Sequence, residues 1–211
     1  MRNRIYAFAL AALSSVAVAM AQSASQPAKA LDSKATLRIA KDVQKAIYTL
    51  PNYGVFDDIH FAIQGDTIIL RGEASRPTLK SSAENVTKKI EGVSSVKNEI
   101  EVLPLSPNDD RLRAAVYVRI YSNPVLQKYT SNRGAGARLW NSRTSRLTGI
   151  TNDPPVGYHA IHIIVKNGHV SLRGAVNNES DSAIAEMQAN TTPGVFSVEN
   201  NLYVVNAPKE K

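Results

Sequence analysis

The sequence predicts an α+β fold made of two tandem αββαβ units, each a three-stranded mixed sheet backed by two helices. Three observations carry this expectation. The chain repeats itself without a gap at a spacing of 102 residues. Each copy holds two short strand-like runs joined by a two-residue turn, and apolar residues recur at helical spacing on either side of that hairpin.

The repeat lays residues 59–103 on 161–205, with twelve identities in 45 positions, among them His60/His162, Leu70/Leu172, Arg71/Arg173, Gly72/Gly174, Glu84/Glu186, Gly92/Gly194 and Asn98/Asn200. Upstream, a shift of 75 places Leu37-Arg38 on Leu112-Arg113 and Val43 on Val118. The difference, 102 − 75 = 27, is the length of an insertion between the first helix and first strand of the second copy. Expected boundaries are a signal peptide over 1–21, a linker over 22–33, the first unit over 34–103, a linker over 104–109, the second unit over 110–206 and a tail over 207–211.

The leader has Arg2 and Arg4, an apolar run over 5–18 broken only by Ser14 and Ser15, and the small-x-small site Ala19-Met20-Ala21. This is a secretory signal pattern, and the run is shorter than the ~20 residues a membrane span needs. The expected compartment is the periplasm, where chromosomal DNA, ATP and NAD are poor candidate ligands. The chain contains no cysteine, which excludes disulfides, thiolate catalysis, Cys-ligated zinc and iron–sulfur clusters.

In the first unit Leu37, Ala40, Val43, Ile47 and Leu50 mark a helix, stopped by Pro51 and Gly54. Ile59, Phe61 and Ile63 alternate with His60 and Ala62 as in a half-buried strand, and Gly65-Asp66 turns the chain into 68–72. The second copy has Asn167-Gly168 there, a strong hairpin signal because both residues tolerate positive φ. Such turns pair positions summing to 131 and to 335 in the two copies. Phe61 therefore faces Leu70, Ile63 faces Ile68 and His60 faces Arg71; Ile163 faces Leu172, Val165 faces Val170 and His162 faces Arg173. The apolar pairs share the face that the helices cover. Leu79, Ala83, Val86 and Ile90 line the second helix, and Gly92 and Gly194 suit a left-handed helix end. Gly72 and Gly174 read as structural, letting a helix approach or the strand bend.

The order of these pieces is specific. Leu70-Arg71-Gly72 followed by Gly92-Val93-Ser94-Ser95-Val96-Lys97-Asn98 recurs as Leu172-Arg173-Gly174 and Gly194-Val195-Phe196-Ser197-Val198-Glu199-Asn200. Duplicated behind a signal peptide, this pattern resembles the BON domain family, as in duplicated, OsmY-like exported proteins. The resemblance implies a non-enzymatic envelope module associated with phospholipid or membrane surfaces and supporting envelope integrity or stress protection. The insertion departs from the family pattern.

Charge points to that insertion. Residues 34–103 carry 10 Lys/Arg and 9 Asp/Glu, net +1, whereas 110–206 carry 10 and 6, net +4. The stretch 122–158 alone holds Lys128, Arg133, Arg138, Arg143 and Arg146 against Asp153, together with the one tryptophan, Trp140. Its glycines and prolines fit no long helix, and a loop of this length in a compact domain is functional or disordered. Lys128, Arg133, Arg138, Trp140, Arg143 and Arg146 are the candidate lipid-binding residues: cations attracted to an anionic headgroup layer around an indole that favours the interface. The competing account is a solvated basic loop whose Trp140 packs onto the domain.

No catalytic pattern emerges. His159, His162 and His169 lie close in sequence, but Arg173 and Lys166 sit opposite two of them, and a metal would compete with those charges. Asp57-Asp58 has no acidic counterpart in the second copy. No phosphate loop, nucleophile elbow or zinc-protease motif occurs. The expectation is a protein that is not an enzyme, has no cofactor and no nucleic-acid partner, and binds an anionic membrane surface or phospholipid headgroups. The alternative is a periplasmic chaperone-like or scaffolding protein that holds other envelope proteins.

Overall fold

The computed structural model describes residues 33–131, 149–151 and 153–205. The first unit runs α1 (Ser33–Tyr48), β1 (Asp58–Gln64), β2 (Thr67–Ala74), α2 (Pro77–Thr87), β3 (Ser95–Asn98) and β4 (Glu101–Val102). The second runs α3 (Pro107–Ser122), a 3₁₀ turn (Gln127–Tyr129), β5 (Ile161–Lys166), β6 (His169–Val176), α4 (Glu179–Asn190) and β7 (Ser197–Val204). In each sheet an antiparallel hairpin is extended by a parallel last strand, and α1/α2 or α3/α4 lie against it. The fold is mixed α+β in two tandem units, as the repeat implies.

Hairpin registers follow the turn lengths: Phe61↔Leu70, Ile63↔Ile68 and His60↔Arg71, then Ile163↔Leu172, Val165↔Val170 and His162↔Arg173. Asn167 and Gly168 both have positive φ, 53° and 83°, as a tight hairpin with matching twist requires. Each sheet buries its apolar face under the helices. One core gathers Ile39, Val43, Ile47, Ile68, Leu70 and Leu79, and the other Leu112, Val116, Ile120, Ile163, Val165 and Leu172. Phe61 is only half-buried, at the open end of the first core.

Several details correct the sequence-based expectation. The buried stripe of α1 is Ile39, Val43 and Ile47, and that of α3 is Leu112, Val116 and Ile120, which is a shift of 73, not 75. The left-handed glycines give the same answer, since a Cβ on Gly92 would meet Ile39 and one on Gly194 would meet Leu112. The insertion is therefore 102 − 73 = 29 residues long. The Leu-Arg match was coincidental in packing terms: Leu37 is 63% exposed whereas Leu112 is buried, and Arg38 lies at the surface whereas Arg113 is inside. The first helix ends at Tyr48, and the left-handed residue of the turn that follows is Asn52, at φ 69°, rather than Gly54. α3 starts at Pro107, inside the expected linker, with Ser106 Oγ accepting from Asp109 N at 3.1 Å. The last strand of the first unit is broken at Glu99 and Ile100, so it appears as two short strands.

Gly72 and Gly174 serve neither helix approach nor a simple bend. Their φ values are +104° and +109°, and a Cβ would lie 2.0 Å from the carbonyl oxygen of Asp58 or Ala160 on the neighbouring strand. Only a residue without a side chain fits there.

The two units pack on one another. Val55 and Phe56, from the loop before β1, are buried in the second core, and Ile163 N donates to Val55 O at 2.7 Å. Burying a side chain such as Phe56 contributes about 1.5–3 kcal/mol to holding the units together. Around this apolar plug, Lys166 meets Glu101, Tyr53 lies beside the His162 ring (centroids 5.7 Å apart), and Arg173 approaches Asp58 and Glu73 at 3.9 Å.

Candidate functional site

Of the residues proposed for lipid contact, Lys128 lies within the described part of the chain; Arg133, Arg138, Trp140, Arg143 and Arg146 lie outside the described residues. Lys128 is not a free cation. Its Nζ sits 2.7 Å from Asp181 Oδ2 and 5.3 Å from the Tyr129 ring centre, and its pairing with Asp181 raises its pKa. Burial works to raise the Asp181 carboxyl, but hydrogen bonds from Lys128 and Tyr129 outweigh it and leave the pKa lowered.

The residues flanking 132–148 form a closed neck. Ser131 N donates to Tyr158 O at 3.0 Å, Tyr158 N donates back to Ser131 Oγ at 3.0 Å, and Ala160 N donates to Tyr129 O at 2.8 Å. Leu126, Tyr129 and Ile150 are buried in the second core, so both ends of the insertion belong to the folded body. The return is clamped at Thr151. Its hydroxyl bonds to Asp110 and accepts from buried Arg113 Nη1 at 3.0 Å, while its carbonyl accepts from Arg76 of the first unit. Arg113 also donates to Asp110 at 2.7 Å and to Val165 O at 2.8 Å.

Tyr129 explains why Asp57 has no acidic counterpart. In the first unit buried Asp57 accepts from Ser75 N at 2.6 Å and Gly54 N at 2.9 Å, with burial raising its pKa. At the equivalent place in the second unit, the Tyr129 hydroxyl accepts from Asn177 N at 2.7 Å and donates to Asp181 Oδ2 at 2.5 Å. Both groups close a backbone N–H after the second strand.

Two of the four histidines are held by neighbours within their own unit. His60 and Arg71 are cross-strand neighbours, but His60 Nδ1 lies 3.4 Å from Asp58 while Arg71 Nε pairs with Glu99 at 2.8 Å. His159 is buried between Tyr117 and Tyr121; its Nδ1 must donate to the Gly157 carbonyl at 3.0 Å, leaving Nε2 to accept from Tyr117 Oη at 3.0 Å. Burial lowers its pKa to about 4, so it is neutral at physiological pH. Among the described residues no group of three or more His, Cys, Asp or Glu side chains could hold a metal ion. No described helix is long and apolar enough to cross a membrane.

Counting charge by structural layer, rather than by stretch of sequence, exposes what segment totals hide. In the first unit, 33–48 and 76–91 form the helix layer and carry eight Lys/Arg against three Asp/Glu, net +5. The sheet side, 57–74 and 95–102, carries two against six, net −4. The helix layer of the second unit, 107–122 and 178–193, carries three against five, net −2.

Comparison with known proteins fits the duplicated architecture. A family model described as "BON domain" matches residues 36–104 and again 147–206. The chain belongs to the BON domain family. BON domains are associated with phospholipid binding in envelope and osmotic-stress proteins and are generally non-enzymatic. The second BON match begins beyond most of the insertion, whose preceding helix α3 falls outside it. Two solved structures of CdsD, a structural protein of the type III secretion system of Chlamydia trachomatis, are similar to this BON chain. The first, a C-terminal domain, is 14% identical with a TM-score of 0.24, covering 78% of this chain and 96% of that one. The second is 13% identical with a TM-score of 0.25, covering 80% and 92%. Scores this low carry no argument about this BON protein. No curated protein matches the chain.

Proposed function

We propose that this BON protein is an exported, non-enzymatic envelope protein that binds anionic phospholipid surfaces peripherally and reversibly, supporting envelope integrity or stress protection. One observation supports this above the others. Residues 132–148 hold four arginines, the single tryptophan and no acidic residue, and the chain on either side is fixed to the second unit by the neck and the Thr151 clamp. A cationic stretch anchored at both ends needs no pocket to bind: each basic residue near an anionic surface contributes about 1 kcal/mol, and an indole partitions to headgroup depth. Lys128 is reassigned from lipid contact to holding the neck, because Asp181 occupies it.

The test is co-sedimentation with vesicles containing phosphatidylglycerol, compared with pure phosphatidylcholine. Binding to the anionic vesicles alone, weakened by salt and by the combined substitution Arg138→Ala/Arg143→Ala/Arg146→Ala, is the expected result. Equal binding to both vesicle types, or none to either, overturns the proposal.

A further inference from the structure

The outer surface of α1 is a single stripe. Ile39, Val43 and Ile47 face the core, and at 100° per residue the opposite face falls on Lys34, Arg38, Lys41 and Lys45, flanked by Leu37 and Tyr48. All four cations are exposed, and Leu37 and Tyr48 are 63% and 56% exposed. Arg38 pairs with Glu91 at 2.8 Å, while Lys34, Lys41 and Lys45 have no ion-pair partner among the described residues. Beside this stripe the turn after α2 adds exposed Lys89, while Lys88 is paired with Glu84 at 2.5 Å.

The second unit does not repeat the feature. With the packing shift of 73, Lys34, Lys41 and Lys45 correspond to Pro107, Ala114 and Val118. The acids that balance the first unit lie on its sheet side, where Asp58, Glu73 and Glu101 meet Arg173 and Lys166 of the second unit. Packing the units thus occupies the negative side of the first and leaves its positive side outward. Arg76, at the start of α2, also holds the carbonyl of Thr151 in the second unit.

We infer that the outer face of the α1–α2 layer in the first unit is a second, structured contact surface for an anionic lipid bilayer, so the protein lies with its first-unit helices toward the membrane. This rests on the lipid-binding proposal above and assigns it a face and an orientation. The chemistry favours a bilayer over a compact anionic partner. The stripe is about 21 Å long from Lys34 to Tyr48 at 1.5 Å per residue. Leu37 and Tyr48, along one edge of it, can enter the headgroup layer while the lysines spread over it.

The experiment uses the full chain and the same two vesicle compositions. The variant Lys34→Gln/Lys41→Gln/Lys45→Gln keeps strong helix formers at exposed sites, and its urea midpoint should match the wild type. Its partition onto phosphatidylglycerol vesicles should fall roughly a hundredfold, and Lys34→Arg/Lys41→Arg/Lys45→Arg should restore it. A nitroxide on Gln44→Cys should report immersion and one on Asn201→Cys should not; the chain has no other cysteine. If the wild type binds anionic vesicles and the glutamine variant binds equally well, the face is overturned while the proposed function stands. If the wild type fails to bind, both fall. Retained heparin binding with no vesicle binding would assign the stripe to a soluble polyanion and overturn the inference.

Discussion

Asn200 Nδ2 donates to Glu186 Oε2 at 3.0 Å, and 102 residues earlier Asn98 makes the same bond to Glu84 at 2.9 Å. Each asparagine also donates to a carbonyl of its helix, Ser182 O or Lys80 O. Its Oδ1 accepts the backbone N–H two residues on, Leu202 at 3.3 Å or Ile100 at 3.2 Å. One side chain thus ties the last strand to the second helix and satisfies a backbone donor beside it. The repeated Asn and Glu of the sequence are two ends of one bond.

Removing that tie should weaken each unit. Asn200→Ala leaves the Leu202 N–H and a Ser182 carbonyl without this partner, an expected loss of about 1–3 kcal/mol. Asn200→Asp should be no better, because a carboxylate would face Glu186 and cannot donate. Urea denaturation of the full chain measures both, and unchanged midpoints would show the bonds to be energetically idle.

How much of this was legible in sequence depends on which partners are local. The hairpin registers were readable because a two-residue turn fixes them, and the alternation of Ile59, Phe61 and Ile63 with His60 and Ala62 says which face is oily. The register of α3 was not, because Leu112-Arg113 copies Leu37-Arg38 in letters while facing a different way. The exchange of Asp57 for Tyr129 was also hidden, since the replacement comes from the insertion instead of the aligned position. The cationic face was masked by arithmetic. A net +1 over 34–103 cancels +5 on one side against −4 on the other, and only the topology separates them.

The glycines should rank by what their Cβ would meet. Gly72→Ala and Gly174→Ala place a methyl 2.0 Å from a rigid strand carbonyl at φ above +100°, and the hairpin must open. Losses of about 2–4 kcal/mol are expected. Gly194→Ala meets only Leu112, 3.3 Å away, so its cost is chiefly that of a left-handed alanine, about 1–2 kcal/mol. Denaturation midpoints in the reverse order would contradict the assigned geometry.

Lys128→Gln separates a structural from a lipid-contact role. Asp181 would lose its cation while keeping Tyr129, so a small fall in stability is expected. Partition onto anionic vesicles should stay within about twofold of the wild type. A drop near fivefold without any change in urea midpoint would return Lys128 to the lipid-binding set.

Acid should loosen the second unit through His159. Its folded pKa of about 4 lies below the usual value near 6.5, so the neutral ring is the form the fold accepts. The stability from this mismatch is fully present above pH 6.5 and is lost as pH falls toward 4, amounting to roughly 3 kcal/mol at the bottom of that window. Asp57 and Glu73 work oppositely: burial raises both, so protonation relieves a cost as pH falls. The informative quantity is therefore the difference between the wild type and His159→Gln, whose ring-free side chain removes the titration but not the carboxyls. That difference should favour the wild type at pH 7 and shrink steadily toward pH 4. A difference that stays constant across the window would mean that His159 can charge in place, which its contacts with Tyr117, Tyr121 and the Gly157 carbonyl should not allow.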